Sequence, residues 1–296
     1  MPNAVLVFNN VGRLDHSYFI SNNMLTLLQD TRHQFQIATG GDPKKAVAEY
    51  EQKTWPGRAY SKIELSDVLV GKYLRSVARP IYRLNGDFGG LINPGADQEL
   101  EEIKNTWREI EVLTHDLEHC FNVNSPFEAN WDSYGLYYER IIYIACIGVE
   151  SLFRKILDDN AINTPGANMN LFVRLKPHLR LEEYSVRLQR YPWLKPVASF
   201  ANWDTSNPSK SLPWYQAYNS LKHDKRRNQH VASMKNAISA VVAYYCLSYA
   251  TFGYQIHPDF FTDYRYFLVE SFPKWDASEC FLESDSKTWA PVSIVL

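Results

Sequence analysis

The chain has 296 residues, 45% hydrophobic and 14% aromatic, which is enough apolar surface for a large core and excludes a disordered chain. A formal net charge of -2 and a pI near 6.5 exclude a protein that coats nucleic acid by bulk positive charge, while leaving local cationic clusters able to bind phosphate. Cys120, Cys146, Cys246 and Cys280 are far apart with no Cys-x-x-Cys pair, and the opening residues are too short for a signal-peptide core, so reduced thiols in a cytoplasm are expected.

Asn3 to Phe8 reads as a short strand, and Ser17 to Ile37 as an amphipathic helix presenting Phe19, Ile20, Leu27 and Leu28. Gly40-Gly41-Asp42-Pro43 then ends one helix and caps the next: glycine tolerates the stop, Asp42 accepts from orphan N–H groups, and Pro43 suits the first helical position. A phosphate loop is the sharper reading, but the Gly-Lys-Ser/Thr end of a Walker loop is missing. Ile63 to Leu84 is a predicted helix bent or ended at Pro80, and Asn85 to Gly95 is the clearest break in the chain.

Asp97 to Phe121 is a predicted helix with the apolar stripe Ile103, Trp107, Ile110, Leu117 and Phe121. Inside it, His115-Asp-Leu-Glu-His119 formally fits the His-x-x-Glu-His pattern, in which His115 and His119 would hold a metal and Glu118 would act as base. Helical projection puts the two imidazoles roughly 160° from the apolar stripe, beside Arg108 and Glu111, where a solvated face is the plain explanation.

Trp131 to Asp158 is a second predicted helix, apolar nearly all round and therefore central to a bundle. Glu139 and Glu150 interrupt it. An unpaired buried carboxylate is costly, so each should meet a cation or open onto a cleft, with the basic residues near position 223 as the expected partners. Positions 174 to 227 form the one basic region, interleaved with Tyr191, Trp193, Trp203 and Trp214, a mixture that suits stacking on single-stranded RNA and also ordinary core packing.

Asn228 to Tyr254 is the best-defined predicted helix, with Ala240, Ala243, Ala250 and Gly253 leaving room for close approach of the 131–158 helix. Its uncharged part, Ala237 to Ile256, has the length of a membrane span but is only weakly apolar, so a buried helix pair and no membrane association are expected. Phe261 to Val269, Cys280 to Leu282 and Val292 to Val295 are short β-prone runs. The resulting fold class is mainly α: residues 1–95 mostly helical with a short strand, 96–256 a helical bundle core, and 257–296 an extended, partly β tail packed on the bundle.

If the segment from Leu212 onward is one continuous helix, Asn219, His223, Arg226 and His230 fall at i, i+4, i+7 and i+11, within roughly 60° of one another. One row then carries an amide, two imidazoles and a guanidinium. Metal-free RNA cleavage needs a base for the 2′-OH, an acid for the leaving oxygen and a cation for the phosphorane charge. His223 and His230 suit the first two roles, Arg226 with Lys222 the third, and Asn219 would orient a ring or a phosphate oxygen. Lys225, Arg227, Trp214 and Tyr218 complete the candidate binding set. The alternative is a hydrogen-bonded polar seam, with His223 satisfied by Asn219 or Glu139 and Arg226 paired with Glu150.

The helix pair and the stretch Tyr218-Asn-Ser-Leu-Lys-His-Asp-Lys-Arg-Arg227 leading into an Ala-rich helix resemble the HEPN (higher eukaryotes and prokaryotes nucleotide-binding) helical bundles, over at most positions 100 to 256. That resemblance implies a metal-independent ribonuclease of a toxin–antitoxin or antiviral system, often a homodimer, whose site is an Arg followed four to six residues later by a His. Here His230 follows Arg226 and Arg227 after three and two intervening residues. Two functions from different classes are therefore expected: a cofactor-free RNA- or nucleotide-handling enzyme, or a non-catalytic module that binds RNA or a protein partner.

Overall fold

The structure, a computed structural model, describes residues 4–9, 14–21, 23–27, 32–38, 40–66, 69–82, 88–162, 165–253, 266–276, 279–284 and 288–296. Contacts divide it into two compact units, Met1–Tyr73 with Arg79–Ile92 and Trp275–Val292, and Leu74–Ala78 with Asn93–Lys274 and Ser293–Leu296.

The first unit opens with strands β1 (Ala4–Asn9), β2 (Leu14–Ser21), β3 (Met24–Leu27) and β4 (Gln34–Gln36), then helix α1 (Pro43–Thr54) and strand β5 (Tyr60–Ser66). The five strands form one antiparallel sheet in the order β4-β3-β2-β1-β5. Strand β1, between β2 and the edge strand β5, is buried on both faces: Val5 and Val7 pack with Tyr18, Leu25, Leu27 and Val47 of α1, and Ala4 and Leu6 pack with Leu282. Asp42 caps α1 by accepting from the Lys44 N–H at 3.0 Å, and Pro43 takes the first turn, so the capping expectation holds.

The helix expected over 17–37 is instead two hairpin connections. Ser21 pairs with Met24, so only two residues join β2 to β3, and Asn23 sits at φ 60°, the conformation such tight turns demand and asparagine tolerates. Beyond Met24 burial alternates residue by residue, the period of a strand. Leu28 lies outside the described residues.

The helix expected over 63–84 is likewise replaced by β5, β6 (Leu69–Val70), β7 (Lys72–Leu74) and β8 (Arg79–Tyr82), with β9 (Phe88–Ile92) following. Gly71 turns the chain at φ 61° where its backbone meets Ser284, so a side chain there would be both strained and crowded. Pro80 occupies a register shift in β8, one of the few places a sheet accepts proline. Residues 83–87, in and beside the expected break, lie outside the described residues.

The second unit contains α2 (Leu100–Val123), α3 (Leu136–Asp159), the short α4 (Met169–Phe172) and α5 (Lys176–Leu179), strand β10 (Ser185–Leu188), α6 (Pro213–Asn228), α7 (Met234–Phe252) and β11 (Phe267–Ser271), which pairs antiparallel with β10. The α2 stripe is buried as expected, from Ile103 to Phe121. α3 and α7 form the most extensive helix pair, and Gly148 is what permits it: a Cβ there would stand 2.6 Å from the Tyr244 ring. Phe153 stacks on Phe172 at 4.9 Å and meets Trp203 at 5.6 Å, extending the core beneath the short helices.

The chain ends in β12 (Phe281–Leu282) and β13 (Ala290–Val292). β12 enters a four-stranded sheet of the first unit, order β6-β12-β8-β9, and β13 pairs with β7. Residues 261–265 of the expected Phe261 to Val269 run lie outside the described residues.

A mainly α bundle with a small mixed N-terminal part is therefore not this protein's architecture, and the term all-α does not apply. Among the described residues four separate sheets, one of them five-stranded, stand beside the helices. The error has one physical cause: short runs of Phe, Ile, Leu and Val satisfy helical spacing and strand alternation alike, and pairing to distant strands decided between them. No helix among the described residues is long and apolar enough to cross a membrane.

Candidate functional site

α6 begins at Pro213 and buries Trp214, Tyr215, Ala217, Tyr218 and Leu221, one face at helical spacing. Trp214 is 1% exposed and its indole N–H donates to the Ser199 carbonyl at 2.9 Å. Tyr218 is 5% exposed, its ring edge-on to Tyr143 at 5.8 Å. Both are core residues, closed to a stacking base. Of Tyr191, Trp193, Trp203 and Trp214, the exposed one is Trp193, 52% exposed and stacked on Phe127 at 5.5 Å.

Glu139 and Glu150 of α3 are satisfied separately. Glu150 accepts from the Tyr215 hydroxyl at 2.7 Å and from Arg154 at 2.9 Å, one turn along its own helix. Burial and then this bond raise the Tyr215 pKa, so the phenol stays protonated. Glu139, 6% exposed, meets the Lys225 ammonium at 2.7 Å, and that hydrogen bond raises the Lys225 pKa. The cation expected at Glu139 is thus supplied by the 222–230 region. At Glu150 it comes from Arg154 and not from Arg226.

α6 is not continuous to its end. Asp224 takes φ -150° and ψ 77°, outside the helical range, and its carboxylate accepts from the Arg227 N–H at 3.2 Å. It thereby acts as an N-cap for a new turn, the behaviour that makes aspartate a weak helix-interior residue. A 3-10 turn, Gln229–Val231, follows, and Ser233 caps α7 through the Asn236 N–H at 3.3 Å. The continuous projection that set Asn219, His223, Arg226 and His230 on one row does not cross these breaks. His223 is the last helical residue before the kink, Arg226 belongs to the restarted turn, and His230 to the 3-10 turn. Aspartate followed by a polar run, then serine before an apolar run, was the signal that marked the breaks.

What the kink leaves is a polar loop in water. Lys222, His223, Lys225, Arg226, Arg227 and His230 are all exposed, and Asn219 is half-buried beside them. Lys225 is held by Glu139 and Arg227 by Asp224 at 3.5 Å. Lys222 reaches only the Tyr218 ring, 5.5 Å from its centroid. His223, Arg226, His230 and Asn219 make no side-chain hydrogen bond or ion pair with another described residue. They are available to a ligand.

The side chains of the His115 to His119 pattern have separate partners. His115 is exposed beside Glu111 at 4.0 Å, and His119 packs on Tyr137 at 5.4 Å. Glu118 points elsewhere, accepting from the Tyr191 hydroxyl at 2.9 Å, with Arg190 at 3.7 Å. Burial, reinforced by that bond, pushes the Tyr191 pKa up to about 12. Among the described residues no group of three His, Cys, Asp or Glu side chains is placed to hold a metal ion. The four cysteines are free and buried, and burial pushes Cys120 up to about 11, far from a reactive thiolate.

No family model, no curated protein and no solved structure matches this chain.

Proposed function

We propose that the chain binds RNA through the loop joining α6 to α7. The observation that carries this reading is the loop itself: in a chain of net charge -2, six exposed side chains between Lys222 and His230 bear ammonium, guanidinium or imidazole groups, and Lys222, His223 and Arg226 have no carboxylate partner among the described residues. Phosphate is the chemistry such donors recognise, and arginine and lysine contacts to it release counterions. This retains the RNA-handling part of what the HEPN resemblance implies, requires no cofactor, and suits the reducing cytoplasm that four unpaired thiols favour.

Fluorescence anisotropy with a single-stranded RNA tests it. The affinity should fall steeply between about 50 and 200 mM salt, with a log–log slope of about -0.7 for each phosphate contacted. Binding that ignores salt, or no binding to any RNA, would remove the reading and leave a protein partner as the alternative.

Cleavage is a second reading, favoured by two imidazoles and a guanidinium, exposed and unpartnered, within one loop. Incubation with RNA in EDTA should then yield products that a His223→Ala, His230→Ala double variant does not form. Equal cleavage by the variant would refute it while leaving RNA binding intact.

A further inference from the structure

A cavity of about 290 Å³ opens in the second unit where α6 and α7 begin. Trp131, Pro196, Val197 and Ile238 supply its apolar wall, and no carboxylate lines it. Most of its polar groups are already engaged. The Ser199 hydroxyl donates to the Ser239 carbonyl at 2.7 Å, Ser211 accepts from the Asp204 N–H at 3.0 Å, and the Asn236 amide donates to the Val231 carbonyl at 2.9 Å.

What remains is one cation at the rim. Lys235 is exposed and makes no ion pair with a described residue; its ammonium lies 5.4 Å from the centroid of the Trp131 ring. An ammonium without an acidic partner among the described residues, beside flat apolar walls, selects a negatively charged acceptor carried on a planar body.

We propose that this cavity binds a small aromatic carboxylate, of the size of indole-3-acetate, with its ring against Trp131 and Ile238 and its carboxylate on Lys235. The volume is at the lower end of ordinary ligand sites, about 300–1,000 Å³, which suits one ring system and excludes a dinucleotide. The site is separate from the RNA-binding loop and shares no side chain with it.

Isothermal titration of the full chain with three probes tests the proposal: indole-3-acetate, the neutral indole-3-acetamide and the cationic tryptamine. The acetate should bind, the amide about tenfold more weakly and tryptamine more weakly still, since a charge-assisted bond to Lys235 is worth about that factor. Lys235→Met should lower acetate affinity about tenfold, and Lys235→Arg, which keeps the charge, should restore most of it. Equal affinity for the three probes, an unchanged Lys235→Met variant, or no titration by the acetate at millimolar concentration would each overturn it. The probe series needs no variant, so a poorly folding substitution leaves the test intact. A His223→Ala, Arg226→Ala chain should titrate like the parent, which separates failure here from failure of RNA binding.

Discussion

His16 in the first unit and His223 in the second are both imidazoles close in sequence or space to arginine, and they have opposite fates. His16 is 8% exposed; its Nδ1 lies 2.5 Å from Glu51 and its Nε2 lies 3.2 Å from Arg58. Since a guanidinium only donates, Nε2 accepts and the ring proton sits on Nδ1, facing Glu51. Glu51, 2% exposed, also accepts from the Tyr18 hydroxyl at 2.7 Å, and Arg58 pairs with Asp15 at 2.7 Å. Both ring nitrogens of His16 have partners inside the fold. His223 has none, because water supplies what a buried group must find in protein. The sealed seam expected as the alternative at His223 exists at His16, and the comparison shows which histidine is structural and which is free to meet a ligand.

The largest test of that contrast is Glu51→Ala. Removing the shared acceptor strands His16 and Tyr18 in the core and should lower stability by about 3 kcal/mol in urea unfolding. A loss below about 1 kcal/mol would show that the buried seam does not hold the sheet to α1.

Lys225→Met should have a smaller effect. It leaves the buried Glu139 without its cation, but the lysine end of the pair is open to water, so the melting temperature should fall by less than for Glu51→Ala. Because the Glu139 hydrogen bond raises the Lys225 pKa, this contribution is complete below the ordinary lysine value of about 10.4 and is lost as pH rises through the raised one. Melting curves of parent and variant should therefore converge only at strongly alkaline pH. Convergence near neutrality would mean that the pair contributes nothing.

The smallest effect on stability should come from His223→Ala with Arg226→Ala, within about 0.5 kcal/mol of the parent, because both side chains are exposed and neither makes a hydrogen bond or ion pair with a described residue. The same variant should reduce the salt slope of RNA binding by about 0.7 for each phosphate contact removed. A large loss of stability with no change in slope would reverse the comparison and make His223 the structural residue.

Three helices were legible before the structure because their apolar stripes repeat over many turns: Asp97 to Phe121, Trp131 to Asp158 and Asn228 to Tyr254 became α2, α3 and α7, with ends displaced by a few residues. The N-terminal strands were not. Phe19, Ile20 and Leu27 are spaced acceptably for a helix, and only the Asn22-Asn23 pair between apolar runs hinted at a tight turn. At the candidate site, composition marked the right loop, but a projection drawn straight through Asp224 assumed a helix that the aspartate itself caps and restarts. Lys225 as the partner of Glu139, and the Trp131–Lys235 cavity, had no local signature, since each is made by residues far apart in the chain.

By itself the sequence determined what local chemistry determines: the long amphipathic helices, the Asp42 cap, a set of unpaired thiols and one cationic loop in a slightly acidic protein. The tertiary structure alone decided which short apolar runs pair as strands, which of Glu139 and Glu150 receives a cation from that loop, and which histidines are sealed. Those outcomes depend on the energy of burial, and burial is a property of where distant segments meet.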